Sequence, residues 1–273
     1  MTLLQSIILG IIQGLTEFLP ISSSAHLVLV PYLLNWDIPA EEAFVFNVLV
    51  QVATLVAVIA YFWQDLITIL RAWLVGLRQR KPFEDPSARL GWFLLLATLP
   101  AGVIGLAIKD LVELAFASPV AVAFFLLVTA ALLVIAERAG KRSRPLAALK
   151  WVDALWIGFG QAIAIFPGIS RSGATISAGM LRDLERPAAA RFAFLMSIPI
   201  MLAAGLYAGL DLVQMPNFTA LLPVFIPGFI AAAVVGYLSI RWLLGFLVQR
   251  SLYGFAIYCV SLALLVLATG AMR

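Results

Sequence analysis

"QGLTEFLPISSSAH", residues 13–26, decides how this chain must fold. It places an acid, three serines and the only histidine inside an otherwise apolar N-terminal run, residues 3–35. Gln13 and Glu17 are four residues apart and share a helix face, as do Ser22 and His26. Pro20 has no backbone N–H and ends or kinks the incoming helix. Ser22, Ser23 or Ser24 can then cap a second one. The run therefore reads as two short helices that dip into a membrane and return, a re-entrant hairpin. Such a break is tolerated at membrane depth only where it faces protein or a wet cavity.

A second apolar run, residues 151–182, is broken in the same way by "PGISRSGAT". Pro167 and Gly168 supply its turn, and Ser170 or Ser172 its cap. Gly173 permits close backbone approach. Shifted by 148 residues, "LGIIQGLTEFLPISSSA" overlies "IGFGQAIAIFPGISRSG" without a gap. Gln13 meets Gln161, Phe18 meets Phe166, Ser22 meets Ser170 and Ser24 meets Ser172. The chain thus reads as two repeats, about 1–145 and 150–273, within one integral membrane domain covering 1–273.

Composition agrees. Of 273 residues, 63% are hydrophobic and 12% charged, with mean hydropathy +1.06, against about 25% charged in soluble domains. Six segments are long enough to span a membrane: 43–64, 91–109, 119–137, 191–212, 221–243 and 252–271. The expected fold class is an all-α polytopic membrane protein with six transmembrane helices, two re-entrant hairpins and two inverted-topology repeats. The N-terminus lacks a basic region and a cleavage site, so it reads as mature protein. The net charge of +4 is a topology signal, not a nucleic-acid footprint. Loops 71–89 and 138–150 hold five Lys/Arg each, whereas segment 36–42 has none and carries Asp37, Glu41 and Glu42. If both broken runs are re-entrant, the basic loops share the cytoplasmic side and both termini face outward. With three spans per half, the second repeat is inverted. That architecture places its site at the repeat interface near the midplane.

The polar breaks carry the chemistry. Each ends in a helix N-terminus, a ready anion site. Arg171 adds the planar fork that matches phosphate oxygens. Glu17 can act as base or hold a divalent ion, His26 can move protons, and Ser23 can attack if a neighbour takes its proton. Ser170, Ser172, Thr175 and Gln13 are the candidate phosphate contacts. Ser22, Ser24 and Ser172 also read as caps or packing residues, and Glu17, His26 and Arg171 as a structural polar network. Asn47 and Gln51, again four apart, can line the cavity.

"QGLTEFLPISSSAH" resembles the E/Q-G-x-x-E-F-x-P-x-S-S-x-x-H signature of the undecaprenyl-diphosphate phosphatases, or bacitracin resistance proteins. "PGISRSGATISAGML" resembles that family's second motif, and the resemblance covers essentially the whole chain. It implies a bacterial inner-membrane enzyme that hydrolyses undecaprenyl diphosphate to undecaprenyl phosphate, recycling the lipid carrier for the cell wall. The family's functional positions fall on Glu17, Ser23, His26, Ser170, Arg171 and Thr175. Gln13 stands where many members have Glu. A Mg2+ or Ca2+ ion would therefore bridge Glu17 and the substrate's own phosphates. The expected partners are the polyprenyl diphosphate and membrane lipids, with no nucleic acid; a homodimer is one assembly open to the chain. The alternative function is a transporter of a polyprenyl phosphate lipid, because inverted repeats with broken helices also serve alternating access.

Overall fold

In the computed structural model, which describes residues 1–116, 118–213 and 218–271, the first apolar run is two helices and not one. Helix α1 (Leu3–Phe18) starts at Thr2, whose hydroxyl accepts from the Gln5 amide while Gln5 caps Thr2 in return. It stops before Pro20. Helix α2 (Ser23–Leu33) starts at Ser22, which adopts φ 68° and accepts from the Ala25 amide at 3.3 Å. The second run repeats this as α8 (Trp151–Ile163) and α9 (Arg171–Leu181), with Ser170 accepting from Gly173 at 3.0 Å. Gly168 takes φ 103° in the turn, where a Cβ would lie 2.4 Å from the Val122 carbonyl oxygen. At 1.5 Å per residue an 11-residue helix covers about 16 Å, half of a hydrocarbon core.

The longer helices are α3 (Ala40–Tyr61), α5 (Pro86–Ala107), α7 (Pro119–Ala139), α10 (Arg186–Val213) and α11 (Phe218–Gln249). Each is long and apolar enough to cross a membrane. The sixth expected span, 252–271, falls on α12 (Tyr253–Ala271), whose apolar stretch Tyr253–Thr269 is shorter. Among the described residues there is no sheet, and large apolar side chains such as Leu106, Leu206 and Ile257 face outward. The chain is an all-α membrane protein.

Two expected loops are partly helical. Residues 63–78 form α4 (Trp63–Arg78), so Arg71 and Arg78 lie on a helix, and the span expected over 43–64 ends at Tyr61. Reading the segment by its charges hid its period: Ile69 and Trp73 pack on α5 around Gly91, and the Trp73 indole donates to the Ala88 carbonyl at 2.8 Å. Residues 109–116 form α6 (Lys109–Phe116).

Each broken run lies along a long helix of the other half: α1 against α11, and α8 against α5. Small residues permit this closeness. A Cβ on Gly10 would sit 2.2 Å from the Gly228 carbonyl oxygen, and one on Gly158 2.5 Å from that of Ala97. A Gly10→Ala variant should therefore lose about 1–3 kcal/mol through overpacking. Thermal unfolding in detergent measures this, and an unchanged midpoint would mean that α1 and α11 do not touch at Gly10.

Basic residues of the 138–150 loop and of the junction between α9 and α10 converge on two buried acids. Glu137 accepts from Arg142 at 2.8 Å, from Arg186 at 2.7 and 2.5 Å and from the Leu252 amide at 2.7 Å. Asp153 accepts from Arg144 at 2.6 Å and Arg182 at 2.7 Å. These contacts join the ends of α7, α8, α9, α10 and α12 on one side of the bundle.

Candidate active site

Ser23 and Arg171 are each the first residue of the helix that follows a break, α2 and α9. They occupy matching positions under the 148-residue shift. Their caps match as well: the Ser22 and Ser24 hydroxyls lie 3.1 Å apart, and so do those of Ser170 and Ser172. The breaks bind one another. The Gly168 amide donates to Ser24 at 3.4 Å, and Ser172 donates to the Leu19 carbonyl at 3.0 Å. Thr129, from α7, accepts from the Ser170 amide and donates to the Gly168 carbonyl, both at 2.9 Å. Two helix N-termini are thus held side by side by hydrogen bonds between the breaks.

Within that frame the chemistry is unequal. Glu17 is 7% exposed. One of its oxygens accepts from Ser23 at 2.6 Å and from the Gln13 amide at 2.9 Å. The other pairs with the Arg171 guanidinium. Acid, hydroxyl and arginine therefore form one chain of contacts across 154 residues of sequence. A cavity of about 220 Å³ opens over it, lined by Glu17, Ser22, Ser23, Ser24, Ser170 and Arg171. Gln51, Gln161, Ile200 and Met201 also line it.

The other candidates stand behind this surface. Gln13 is fully buried and reaches the cavity only through Glu17. Ser172 lies to the side, in a small pocket with Glu17, Phe18, Arg171 and Phe194. Thr175 is buried, and its hydroxyl donates to the Arg171 carbonyl at 2.7 Å. His26 does not line the cavity. Its Nδ1 lies 2.7 Å from the Ser22 carbonyl, which can only accept, so that nitrogen carries the hydrogen. In the neutral ring Nε2 then accepts from the Tyr258 hydroxyl at 2.7 Å. His26 thus braces the first turn against α12. Gln51 lines the cavity and Asn47 does not.

Three residues of this assembly were not singled out from sequence as site residues: Gln161, Thr129 and Tyr258. Gln161 carried a usable signal as the shift partner of Gln13. Tyr258, 232 residues from His26, carried none.

A divalent cation finds a poor donor set. Among the described residues no three His, Cys, Asp or Glu side chains cluster. The single carboxylate at the cavity, Glu17, is already engaged by Arg171, Ser23 and Gln13.

The chain is similar to known proteins over nearly its whole length. The family model described as "Bacitracin resistance protein BacA" matches residues 6–265. The undecaprenyl-diphosphatase of Thermomicrobium roseum is 43% identical over 274 residues, covering 98% of each chain. That of Moorella thermoacetica is 42% identical and covers all of both chains. That of Myxococcus xanthus is 39% identical, covering 98% of this chain and 89% of its own. With motifs, frame and full-length similarity in agreement, the chain belongs to the bacitracin resistance protein BacA family.

Proposed function

We infer that this chain is a membrane phosphatase that hydrolyses undecaprenyl diphosphate to undecaprenyl phosphate and inorganic phosphate. The observation that carries the reading is the Ser23–Glu17–Arg171 chain beneath a cavity formed by both breaks. Relatives of the same length bear the name of that activity. The enzyme recycles the lipid carrier for cell-wall synthesis and confers bacitracin resistance from the bacterial inner membrane.

Its architecture is six spans plus two re-entrant hairpins in two inverted repeats, about 1–145 and 150–273. The short helices of each break and the crossed packing of α1 on α11 and α8 on α5 support this. The cavity lies toward the ends of the helices that are remote from the basic loops. It is lined by Ala101 late in α5 and Ala204 late in α10, helices that begin at the basic side. By the positive-inside rule that end, like both termini, faces outward.

The diphosphate displaces Arg171 from Glu17 and takes its guanidinium on the terminal phosphate. This leaves Glu17 free to accept the Ser23 proton. The Ser23 oxygen bonds to the terminal phosphorus, and the bond to the bridging oxygen breaks, releasing undecaprenyl phosphate. Arg171 and the N-terminus of α9 stabilise the charge on the equatorial oxygens. Water then cleaves the phosphoserine, delivering inorganic phosphate and restoring the hydroxyl. Ser170 and Ser172 hold the backbone of this turn, Thr175 and His26 its flanks. Any Mg2+ or Ca2+ would be held by Glu17 and the substrate's own phosphates, and no step above runs through it.

The purified chain in detergent should release inorganic phosphate from a polyprenyl diphosphate. A lipid transporter needs two compartments and would release none, so a silent assay would favour that alternative.

A further inference from the structure

Gln13 and Gln161 occupy matching places in the two broken runs, but their amides differ in circumstance. Gln13 spends its Nε2 on Glu17, one turn later. One turn after Gln161 stands Ile165, which offers no polar atom. Gln161 is only 3% exposed and lies on the cavity wall, and neither its Nε2 nor its Oε1 has a partner within the protein. Buried amides are nearly always satisfied, so one that is not needs an explanation. The other unpartnered buried polar side-chain atoms among the described residues belong to Ser6, Gln13, Ser177 and Ser239, none of which lines the cavity. Gln161 alone is both unsatisfied and placed where a ligand arrives.

We propose that Gln161 is a substrate-contacting residue, its Nε2 donating to a non-bridging oxygen of the diphosphate. The proposal rests on the phosphatase reading above. Arg171 grips the ligand from α9 and Gln161 from the α8 wall. Donors on two separate helices favour a ligand with two phosphates over the lipid monophosphate product, which helps the product leave. The second repeat has Ile165 where the first has Glu17, and this leaves the Gln161 amide free of an internal partner.

The test uses the purified full-length chain, with hydrolysis kinetics on a polyprenyl diphosphate and calorimetric binding of inorganic pyrophosphate. Gln161→Leu should raise KM about 10- to 100-fold, the range for losing one hydrogen bond to a charged oxygen. Pyrophosphate binding should weaken by a similar factor. The thermal midpoint should stay at or above wild type, because an unpaired buried amide is removed. Gln161→Glu, equal in size but anionic, should bind pyrophosphate more weakly still. Wild-type KM and pyrophosphate affinity in Gln161→Leu would overturn the proposal, and so would tighter binding by Gln161→Glu than by Gln161→Leu. If Gln161→Leu does not fold, unchanged pyrophosphate binding by Gln161→Glu overturns it. If wild type releases no phosphate, the phosphatase reading fails, while pyrophosphate binding still decides the role of Gln161.

Discussion

Ser23→Ala should slow phosphate release by on the order of 10⁴-fold or more, because it removes the attacking atom and not merely a contact. The change is small in structural terms. The Ser23 hydroxyl has one hydrogen bond, to Glu17 at 2.6 Å, and the cap of α2 belongs to Ser22. The variant should therefore unfold near the wild-type temperature, which separates lost chemistry from lost fold. Rapid acid quench of the wild-type enzyme with labelled substrate should trap phosphate on Ser23. Near-normal turnover by Ser23→Ala would instead make water, activated by Glu17, the attacking group.

Arg171→Ala should lower the rate by about 10³- to 10⁵-fold, the effect of removing an arginine that stabilises a transferring phosphoryl group. Arg171→Lys should recover only part of it, because an ammonium restores the charge without the two-pronged fork. The loss carries a structural component that must be separated. Glu17 is 7% exposed and pairs with Arg171, whose side chain keeps 27% exposure at the cavity, and leaving the acid without that partner costs about 1–3 kcal/mol. Melting curves of Arg171→Ala and of the Arg171→Ala/Glu17→Gln pair distinguish the two effects. The pair should regain stability, and the amount regained measures the structural part of the Arg171→Ala loss. If Arg171→Ala retains its rate to within tenfold, Arg171 does not clamp the phosphate.

Much of this was legible in the residues because membranes leave few options. A backbone break in an apolar run must face protein or water, and Pro20 and Pro167 mark where the two runs break. The gapless match of Ser22 to Ser170 and Ser24 to Ser172 anticipated the paired hydroxyls 3.1 Å apart on both sides. Helix α4 is obscured in the sequence by its arginines, which suit a cytoplasmic loop equally well, although its apolar face follows helical spacing.

The sequence alone determined that the chain is helical and membrane-bound, where its helices break, and that one break carries the acid while the other carries the arginine. Those follow from local chemistry: hydropathy, proline, capping hydroxyls and spacing along one chain. Only the tertiary structure decided which serine caps and which faces Glu17. It also turned His26 toward Tyr258 and away from the cavity, and it left the amide of Gln161 unpartnered on the cavity wall. The choice of serine is made within the turn, by contacts three to six residues apart that spacing alone leaves open. The placing of His26 and Gln161 depends on elements more than 100 residues apart, which no spacing rule encodes.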